Sequence, residues 1–337
     1  MNQNQSKDKK IGWIEISKKK YGGVVYNEQA RIFLAKSFEV DLVGCEAKFF
    51  KKIRFFKLLE SLFCLSKLKG EKNLWIRDFY STLTLPWDKT QGKNIVIVHH
   101  DDFSGFPLLS RPFFKILQIF FYRNLKKADA IITVSEYWKN YFLKKGYKRV
   151  FKIYNAFNVE NYNIKPEEVE RFKIEKKLLG KPIVYLGNCQ KAKGVVETYN
   201  ALKDLDVYLV TTGQKDVEIP ALYLNLGDIE YLELLKASSV VLTMSKFKEG
   251  WCRTAHEAML CKTPVIGSGS GGMKELLEGG KQTICEDCKN LREKVEYLLN
   301  NPEERLKRGE DGFNFAQKFT LEIFQKNWLD VINKILT

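Results

Sequence analysis

Two glutamates that lie eight positions apart mark the part of this sequence with the strongest potential for ligand chemistry. Glu249 is followed at once by Gly250, and Glu257 lies inside residues 254–261, where the pattern of apolar side chains predicts a helix. Residues 239–244 come before them and are apolar and β-branched, which is typical of a buried parallel strand. A strand, a short loop and a helix in this order form ligand sites at the carboxyl edge of α/β sheets.

The chemistry of this segment follows from the expected direction of the helix. A helix that begins just after Gly250 directs unpaired backbone N–H groups and the positive end of its dipole toward the loop, which suits a diphosphate. Glu249 and Glu257 would be roughly 12 Å apart if the segment were entirely helical. That separation is too large for a coupled acid–base pair, but it suits two carboxylates that hold hydroxyl groups at opposite ends of a ligand. A sugar joined to a ribose through a diphosphate would fit.

The same segment carries a family resemblance. The Glu-x7-Glu spacing is followed by Ala-Met-x-Cys-x-Thr-Pro-Val-Ile and then by Gly271-Gly272-Met273-Lys274-Glu275. Together these motifs resemble the nucleotide-sugar-binding half of the retaining GT-B glycosyltransferases, family 4 in particular. The resemblance implies that Glu249 lies beside the donor sugar and that Glu257 binds the ribose. Two solvated acids on a helix face are the ordinary alternative.

The bulk composition is that of a globular protein with a strong positive charge. The 337 residues suggest about two domains, and 45% hydrophobic residues can form sizeable cores. No apolar run reaches the ~18 residues of a membrane-spanning helix and the first residues lack a signal-peptide core, so we expect a cytoplasmic protein. The seven cysteines favour reduced thiols. A net charge of +15 attracts polyanions, but does not choose among nucleic acid, anionic lipid and diphosphate substrates.

Short apolar runs alternate with helical patterns in two successive series. The first series predicts strands at residues 11–16, 40–43, 73–76, 94–98, 130–134 and 150–154. The second series predicts strands at residues 182–186, 207–211, 221–224, 240–243, 264–266 and 282–284. Two such series predict an α/β fold with two doubly wound, Rossmann-like domains that face a cleft, which is the GT-B arrangement.

The expected domain limits follow from these series. An acceptor-binding domain is predicted at residues 1–160 and a nucleotide-sugar-binding domain at 177–315, with the polar stretch 158–177 interpreted as a linker region. Further helices are predicted at residues 290–300, 302–318 and 321–336. The resemblance implies that the carboxyl-terminal segment, 316–337, crosses back to the first domain.

Gly22 and Gly23 follow the first predicted strand. They are similar to the Gly-rich first loop of GT-B enzymes, which lies close to the acceptor and the donor sugar. A plain tight turn accounts for two adjacent glycines equally well.

A polar cluster, His99-His100-Asp101-Asp102, follows the strand predicted at 94–98. Neighbouring strand residues point to opposite faces, so we expect one of the two histidines to face the cleft. GT-B enzymes often have a His followed by Asp near the donor sugar at this point, and His100 matches that pattern, with His99 as the alternative. A structural histidine is the other interpretation. With three histidines in the chain, we expect no metal site.

Residues 48–63 form a basic, Phe-rich segment with apolar side chains at helical spacing, at positions 49, 53, 56, 59 and 63. Such a helix can lie in a membrane interface with its aromatic side chains buried and its lysines on anionic headgroups. A core helix with a solvated basic face is the alternative. Residues 111–123 repeat the basic and aromatic composition, which favours membrane contact. No known nucleic-acid motif is present, so we do not expect nucleic-acid binding.

The second domain begins with a strand and loop that GT-B enzymes use to bind the donor diphosphate. The resemblance implies this role for Lys193, which precedes Gly194. Asn188 stands where the family has an Arg, and Lys191 or Arg253 would supply the missing charge.

Two groups of site residues result. Glu249 and His100 are expected to act in catalysis by positioning the donor sugar and stabilising charge. Gly22, Gly23, Lys193, Gly250, Arg253, Glu257 and Ile229 are expected to bind the donor, the last because residues 226–229 match a segment that the family places near the nucleobase. The helix terminus and Lys193 can neutralise a leaving diphosphate, so we expect neither a metal ion nor a cofactor besides the nucleotide-sugar donor.

The sequence thus predicts a retaining glycosyltransferase that uses a nucleoside-diphosphate sugar. The expected acceptor is a membrane-linked glycolipid or a surface polysaccharide, and the expected location is the inner face of the cell membrane, against an anionic surface. A nucleotide-sugar epimerase of similar fold, which needs no acceptor, is one alternative. A non-catalytic polyanion- or membrane-binding protein is another, which would explain the charge but leave the Glu249–Glu257 segment without a role.

Overall fold

The computed structural model describes residues 9–16, 22–45, 49 and 54–337 of the chain. These residues form two compact units. The first unit contains the described residues within Met1–His99, together with Leu108–Ala156 and Leu321–Thr337. The second unit contains His100–Pro107 and Phe157–Thr320.

The first unit is built on a six-stranded sheet whose paired strands are all parallel. Its strands are β1 (Lys10–Glu15), β2 (Glu39–Gly44), β3 (Lys69–Arg77), β4 (Lys89–Val98), β5 (Ala130–Thr133) and β6 (Val150–Lys152). Their spatial order is β2-β1-β3-β4-β5-β6, so the direction of winding reverses between β1 and β3. The apolar β-branched runs predicted from the sequence form the buried carboxyl-terminal half of β4 and the whole of β5.

Helices connect these strands, as parallel strands require. They are α1 (Gly22–Leu34), α2 (Arg54–Ser66), α3 (Phe79–Thr84), α4 (Arg111–Leu125) and α5 (Glu136–Lys144). In succession, α2 packs on α3 and α3 packs on α4. A short 3₁₀ turn, Leu108–Ser110, leads into α4.

The second unit has its own six-stranded parallel sheet. Its strands are β7 (Ile183–Asn188), β8 (Tyr208–Thr212), β9 (Leu222–Tyr223), β10 (Val240–Thr243), β11 (Val265–Gly267) and β12 (Thr283–Ile284). Their order is β12-β11-β10-β7-β8-β9, so the reversal falls between β7 and β10. Val184 of β7, Leu242 of β10 and Ile266 of β11 belong to the buried core of this unit.

The helices of the second unit surround this sheet. They are α6 (Pro166–Glu175), α7 (Val195–Leu202), α8 (Asp228–Ala237), α9 (Arg253–Leu260), α10 (Met273–Gly279), α11 (Leu291–Asn300) and α12 (Pro302–Ala316). The last helix, α13 (Leu321–Leu336), belongs to the first unit and packs on α1. There the ring centroids of Tyr26 and Phe324 are 5.1 Å apart.

The predicted α/β class and both predicted strand series are confirmed. Two local predictions are wrong. Gly22 and Gly23 form no loop but the first residues of α1, because their backbones are helical. Residues 158–177, interpreted as a linker region, contain α6, whose mostly polar surface hides one buried aromatic residue, Phe172, and which packs on α8.

Part of the basic, Phe-rich segment lies outside the described residues, including Lys48, Lys51 and Lys52. The remainder forms α2, and there the apolar positions 56, 59 and 63 are exposed. This apolar stripe therefore faces outward, whereas Leu65 of the same helix is buried and α2 packs on α3. Within the residues described, no helix combines the length and the apolar character needed to cross a membrane.

Candidate functional site

The candidate site lies at the carboxyl edge of the second sheet, where the winding reverses between β7 and β10. Loops that leave two neighbouring strands in opposite directions open a crevice at such a point, and ligands of doubly wound folds bind there. The loop after β7 carries Lys193, in a 3₁₀ turn, and the loop after β10 carries Glu249. A pocket at this edge is lined by side chains of both loops and of the α9 start, among them Asn188, Lys193, Glu249 and Thr254.

Lys193 and Glu249 form an ion pair across this edge. The Nζ atom of Lys193 lies 2.6 Å from Oε1 of Glu249, and the hydroxyl of Ser245 donates a second hydrogen bond to the same oxygen. Burial opposes ionisation of Glu249, but Lys193 and Ser245 outweigh it and hold the carboxyl pKa below its usual value. Glu249 is therefore an anion at neutral pH. Lys193 is a cation, because burial lowers its pKa but the attraction of Glu249 raises the pKa by more.

The backbone of Glu249 is fixed by the Gly-rich loop after β11. The Glu249 N–H donates to the carbonyl of Ser270, and the N–H of Gly272 donates back to the carbonyl of Glu249. Gly271 lies between these bonds with φ of +70°, and a Cβ there would be 2.5 Å from the Glu249 carbonyl oxygen. Glycine is therefore required at Gly271 by both backbone conformation and space.

A second glycine brings the start of α7 against the end of β10. Gly194 has φ of +75°, and a Cβ at this residue would be 2.2 Å from the carbonyl oxygen of Met244. This close approach places Lys193, the preceding residue, beside the loop that carries Glu249. The Lys193 ammonium also lies 4.9 Å from the ring centroid of Phe247.

The structure places the two neighbouring histidines in different surroundings. His100 belongs to the second unit, where its ring lies 5.4 Å from that of Phe247 and within the electrostatic reach of Glu249 and Lys193. Burial lowers the pKa of His100, so its ring is neutral at pH 7, and its buried Nδ1 has no hydrogen-bond partner among the described residues. His99 lies in the first unit, with Nε2 3.1 Å from Oδ1 of Asn27.

Asp102 was not predicted from the sequence as a site residue. Its carboxylate accepts hydrogen bonds from the backbone N–H groups of Lys248, at 2.7 Å, and of Ser104, at 2.8 Å. These bonds hold its pKa below the usual value despite burial. Asp102 thereby fastens the segment that carries His100 to the loop that carries Glu249. The sequence does show two consecutive Asp after the histidines, but the backbone group that Asp102 binds, the N–H of Lys248, lies 146 positions away.

Helix α9 begins three residues after Gly250, where Cys252 has a left-handed backbone with φ of +66°. Its first residue, Arg253, lies 3.2 Å from Oε1 of Glu257 one turn later, and the guanidinium carbon stacks 4.3 Å from the ring centroid of Phe157. Burial raises the pKa of Glu257, although Arg253 opposes this effect. The positive charge of Arg253 is thus present at the helix start, as predicted. It is paired, however, with Glu257, the residue that was predicted to bind the ribose.

The opposite side of α9 is anchored by the third histidine. His256 is fully buried, accepts a hydrogen bond from Trp251 at Nδ1 (3.0 Å) and lies 3.0 Å from the Ala316 carbonyl at Nε2. Since a carbonyl only accepts, Nε2 carries the proton and the ring is neutral. Burial lowers the pKa of His256 to about 3, so it is a structural residue that fixes α9 against the end of α12.

The other predicted site residues are more dispersed. Asn188, where an Arg was expected, ends β7 and its Oδ1 accepts a weak hydrogen bond from Tyr185 at 3.4 Å. Ile229, in the first turn of α8, is 70% exposed. Gly22 and Gly23 open α1 of the first unit. The structure therefore places the remaining six residues in the second unit. Lys193, Glu249 and His100 lie within electrostatic reach of one another, and Arg253 and Glu257 form a pair on α9.

This arrangement has the chemistry of an anion and polyol site. Lys193 and the amino end of α9 attract a diphosphate, while Glu249 and Glu257 offer carboxylate oxygens that accept hydrogen bonds from hydroxyl groups. A neutral His100 ring can hydrogen-bond a sugar hydroxyl without adding charge.

Comparison with protein families gives two matches that follow one another along the chain. The model described as "Glycosyl transferases group 1" matches residues 166–315. The model described as "Glycosyltransferase Family 4" matches residues 74–161. The first match contains Lys193, Glu249 and Glu257 of the candidate site, and the second contains the His99-His100 segment.

Two curated relatives show the extent of the sequence similarity. The chain is 31% identical over 219 residues to the uncharacterized glycosyltransferase MJ1178 of Methanocaldococcus jannaschii, which is 60% of this chain and 59% of the relative. It is 34% identical over 102 residues to the trehalose synthase of Pyrococcus horikoshii, which is 30% of this chain and 24% of that enzyme. The chain thus spans less than two thirds of the length of both.

Solved structures share the fold across the whole chain. HepE of Anabaena, in complex with UDP-glucose, matches with a TM-score of 0.74 and 14% identity, over 97% of this chain and 100% of that one. Sucrose-phosphate synthase of Thermosynechococcus elongatus matches with a TM-score of 0.81 and 16% identity, over 97% and 98% of the two chains. Both matches show a common GT-B fold.

Proposed function

Because this chain belongs to the group 1, family 4-like glycosyltransferases and has the GT-B fold, we propose that it transfers a sugar from a nucleoside diphosphate to an acceptor. The observation that carries the proposal is the Lys193–Glu249 ion pair at the winding reversal of the second sheet. It joins a cation suited to the diphosphate to a carboxylate suited to the sugar, beside the amino end of α9.

In this proposal the donor lies across the carboxyl edge of the second sheet. The diphosphate binds Lys193 and the backbone N–H groups that open α9, and the ribose hydroxyls bind Glu257. The donor sugar lies beside Glu249 and His100. UDP-sugars are the first donors to test, since HepE was solved with UDP-glucose.

The proposed transfer retains the anomeric configuration and needs no divalent metal. The bond between the anomeric carbon and the diphosphate breaks, and a bond to the acceptor oxygen forms on the same face. The acceptor hydroxyl proton passes to the released diphosphate. Glu249 is ionised and pinned by two hydrogen bonds, so it supports the positive charge that develops on the sugar instead of donating a proton. Lys193 and the α9 dipole stabilise the negative charge on the diphosphate.

The proposed acceptor is a membrane-linked glycolipid or a growing surface polysaccharide, which the enzyme meets at the cytoplasmic face of the membrane. The net charge of +15 supports this location, because anionic headgroups attract a basic protein.

The test is a calorimetric titration with a set of nucleotide sugars in the presence of a metal chelator, followed by measurement of nucleoside diphosphate release. We expect one donor to bind and to be hydrolysed slowly, because water replaces the missing acceptor. The anomeric configuration of the released sugar is then read by NMR before it mutarotates. Glu249→Gln should keep donor affinity within a few fold and lower the turnover by about 10²-fold or more.

Other results would contradict the proposal. Donor binding that appears only when a divalent cation is added would overturn metal independence. Isomerisation of the nucleotide sugar without release of the diphosphate would make the protein an epimerase. Failure of every donor to bind would favour a polyanion- or membrane-binding protein.

A further inference from the structure

The first unit exposes a set of large apolar side chains on two of its helices. We define the apolar face as eight residues of α2, α4 and the turn before α4 that are each 43% to 96% exposed. They are Phe56, Leu59 and Phe63 of α2, Leu108 and Leu109 of the turn, and Ile116, Ile119 and Phe120 of α4. Single exposed apolar side chains are ordinary on protein surfaces, whereas a large group of them marks an interaction surface.

The two helices lie on the same side of the first sheet. The connections from β2 to β5 all advance in one direction across that sheet, so right-handed crossovers place α2, α3 and α4 on a common face. Leu62 of α2 and Leu117 of α4 pack against one hydrophobic cluster, which contains Phe121. Because each helix buries one side in this cluster, each turns its other apolar side outward.

The charges around the apolar face are mostly positive. Residues 103–128 contain no Asp or Glu but five Lys and Arg: Arg111, Lys115, Arg123, Lys126 and Lys127. Lys57 and Lys67 lie on the α2 side, and the ammonium of Lys67 is 4.0 Å from the ring centroid of Phe63. Glu60 is the acidic residue of α2, and its carboxylate accepts from the backbone of Phe49.

This combination of side chains indicates what kind of partner binds the apolar face. Protein–protein interfaces are depleted in lysine, whereas amphipathic helices at membrane surfaces combine buried Phe, Leu and Ile with lysines that reach the headgroups. We propose that the apolar face docks the first unit on an anionic lipid bilayer, with its apolar side chains among the acyl chains and its cations on the headgroups. The α4 side, with five of the eight apolar residues, is the main anchor.

The biological role of this docking surface rests on the proposed function, because docking would bring the enzyme to a membrane-linked acceptor. Donor binding belongs to the second unit and vesicle binding to the first, so the two can fail separately. A positive donor titration with no vesicle binding would overturn only the docking surface, and the reverse would overturn only the donor site.

The experiment is co-sedimentation of the full chain with vesicles of phosphatidylcholine alone or with about a third of phosphatidylglycerol. Ile116→Ser combined with Ile119→Ser tests the apolar face, at side chains that are 54% and 67% exposed. Ile174→Ser combined with Leu306→Ser is the matched control, at side chains of the second unit that are 57% and 70% exposed.

We expect the native chain to bind the anionic vesicles and to release as the salt concentration rises from about 0.1 M to about 0.5 M. The Ile116/Ile119 variant should bind them at least about tenfold more weakly, while the control pair binds like the native chain. Equal losses in both variants, or none, would overturn the proposal. So would a native dimer that the Ile116/Ile119 change converts to a monomer, because a second copy would then cover the face.

Discussion

The ammonium of Lys193 lies 2.6 Å from a carboxylate oxygen of Glu249, and this pair joins the loops that leave β7 and β10. Neither loop alone forms the site. The cation comes from a 3₁₀ turn held against β10 by Gly194, and the carboxylate comes from a loop held in place by Gly271. The pair is thus a structural link across the crevice, and it is also the preformed charge arrangement on which the proposed donor site depends.

The stability of the fold should depend on this ion pair. Lys193→Met leaves the Glu249 carboxylate buried without the Lys193 cation, so we expect a loss of about 2–3 kcal/mol in the free energy of unfolding. The double variant Lys193→Met/Glu249→Gln should regain part of the stability, because it no longer buries the unpaired Glu249 carboxylate. It should not regain the turnover of the donor. Urea unfolding of both variants measures the difference. A single variant as stable as the native chain would show that the carboxylate does not depend on Lys193.

Two glycines should be irreplaceable for reasons of space. An alanine Cβ at Gly194 or Gly271 would lie 2.2 Å or 2.5 Å from a backbone oxygen, in addition to the cost of a left-handed backbone. We expect each Gly→Ala change to destabilise the protein by about 2–4 kcal/mol and to abolish donor binding. Gly180→Ala is the matched control, because Gly180 also has a positive φ, +87°, but no atom lies within 4 Å of the position that its Cβ would take. Its cost should be about 1–2 kcal/mol, with donor binding intact.

Glu257 should contribute to donor affinity and not to the chemical step. Replacing it by Ala removes the proposed hydrogen bonds to the ribose, so we expect the Kd for the donor to rise about 10- to 100-fold. Glu278→Ala, at an exposed glutamate of α10, should leave the Kd unchanged. Calorimetric titration measures both. An unchanged Kd in the Glu257 variant, with the fold intact, would remove the ribose role from this residue.

The buried His256 should make stability depend on pH. Its pKa is about 3 in the folded chain, against 6.5 for an exposed histidine, so between these values the unfolded chain binds more protons. Stability should therefore fall as the pH is lowered through about 6, with a slope approaching 1.4 kcal/mol per pH unit from this residue.

His256→Gln provides the comparison for that prediction. The variant should be less stable than the native chain at pH 7, because the packing and hydrogen bonds of the ring change, but it lacks this titration. The difference in unfolding free energy between the two proteins should therefore narrow from pH 7 to pH 5. A constant difference would mean that His256 is not held neutral by burial.

The sequence by itself determined the class of fold and singled out residues of the candidate site. The β-branched apolar runs predicted both strand series, because burial of a parallel strand on both faces leaves a local pattern. Lys193, Glu249 and Glu257 were predicted as site residues because the short motifs around them lie next to strand ends and resemble those of GT-B glycosyltransferases.

Only the tertiary structure decided how distant segments meet. That Asp102 holds the Lys248 backbone, and that Gly271 supports Glu249, depends on contacts between loops whose positions no local pattern records. The same is true of the two histidines, since the path of the chain after β4 places His100 and not His99 in the second unit. The exposure of the apolar side of α4 could not be predicted from the sequence either. An amphipathic pattern shows that one side of a helix is apolar, but it does not show whether another element covers that side.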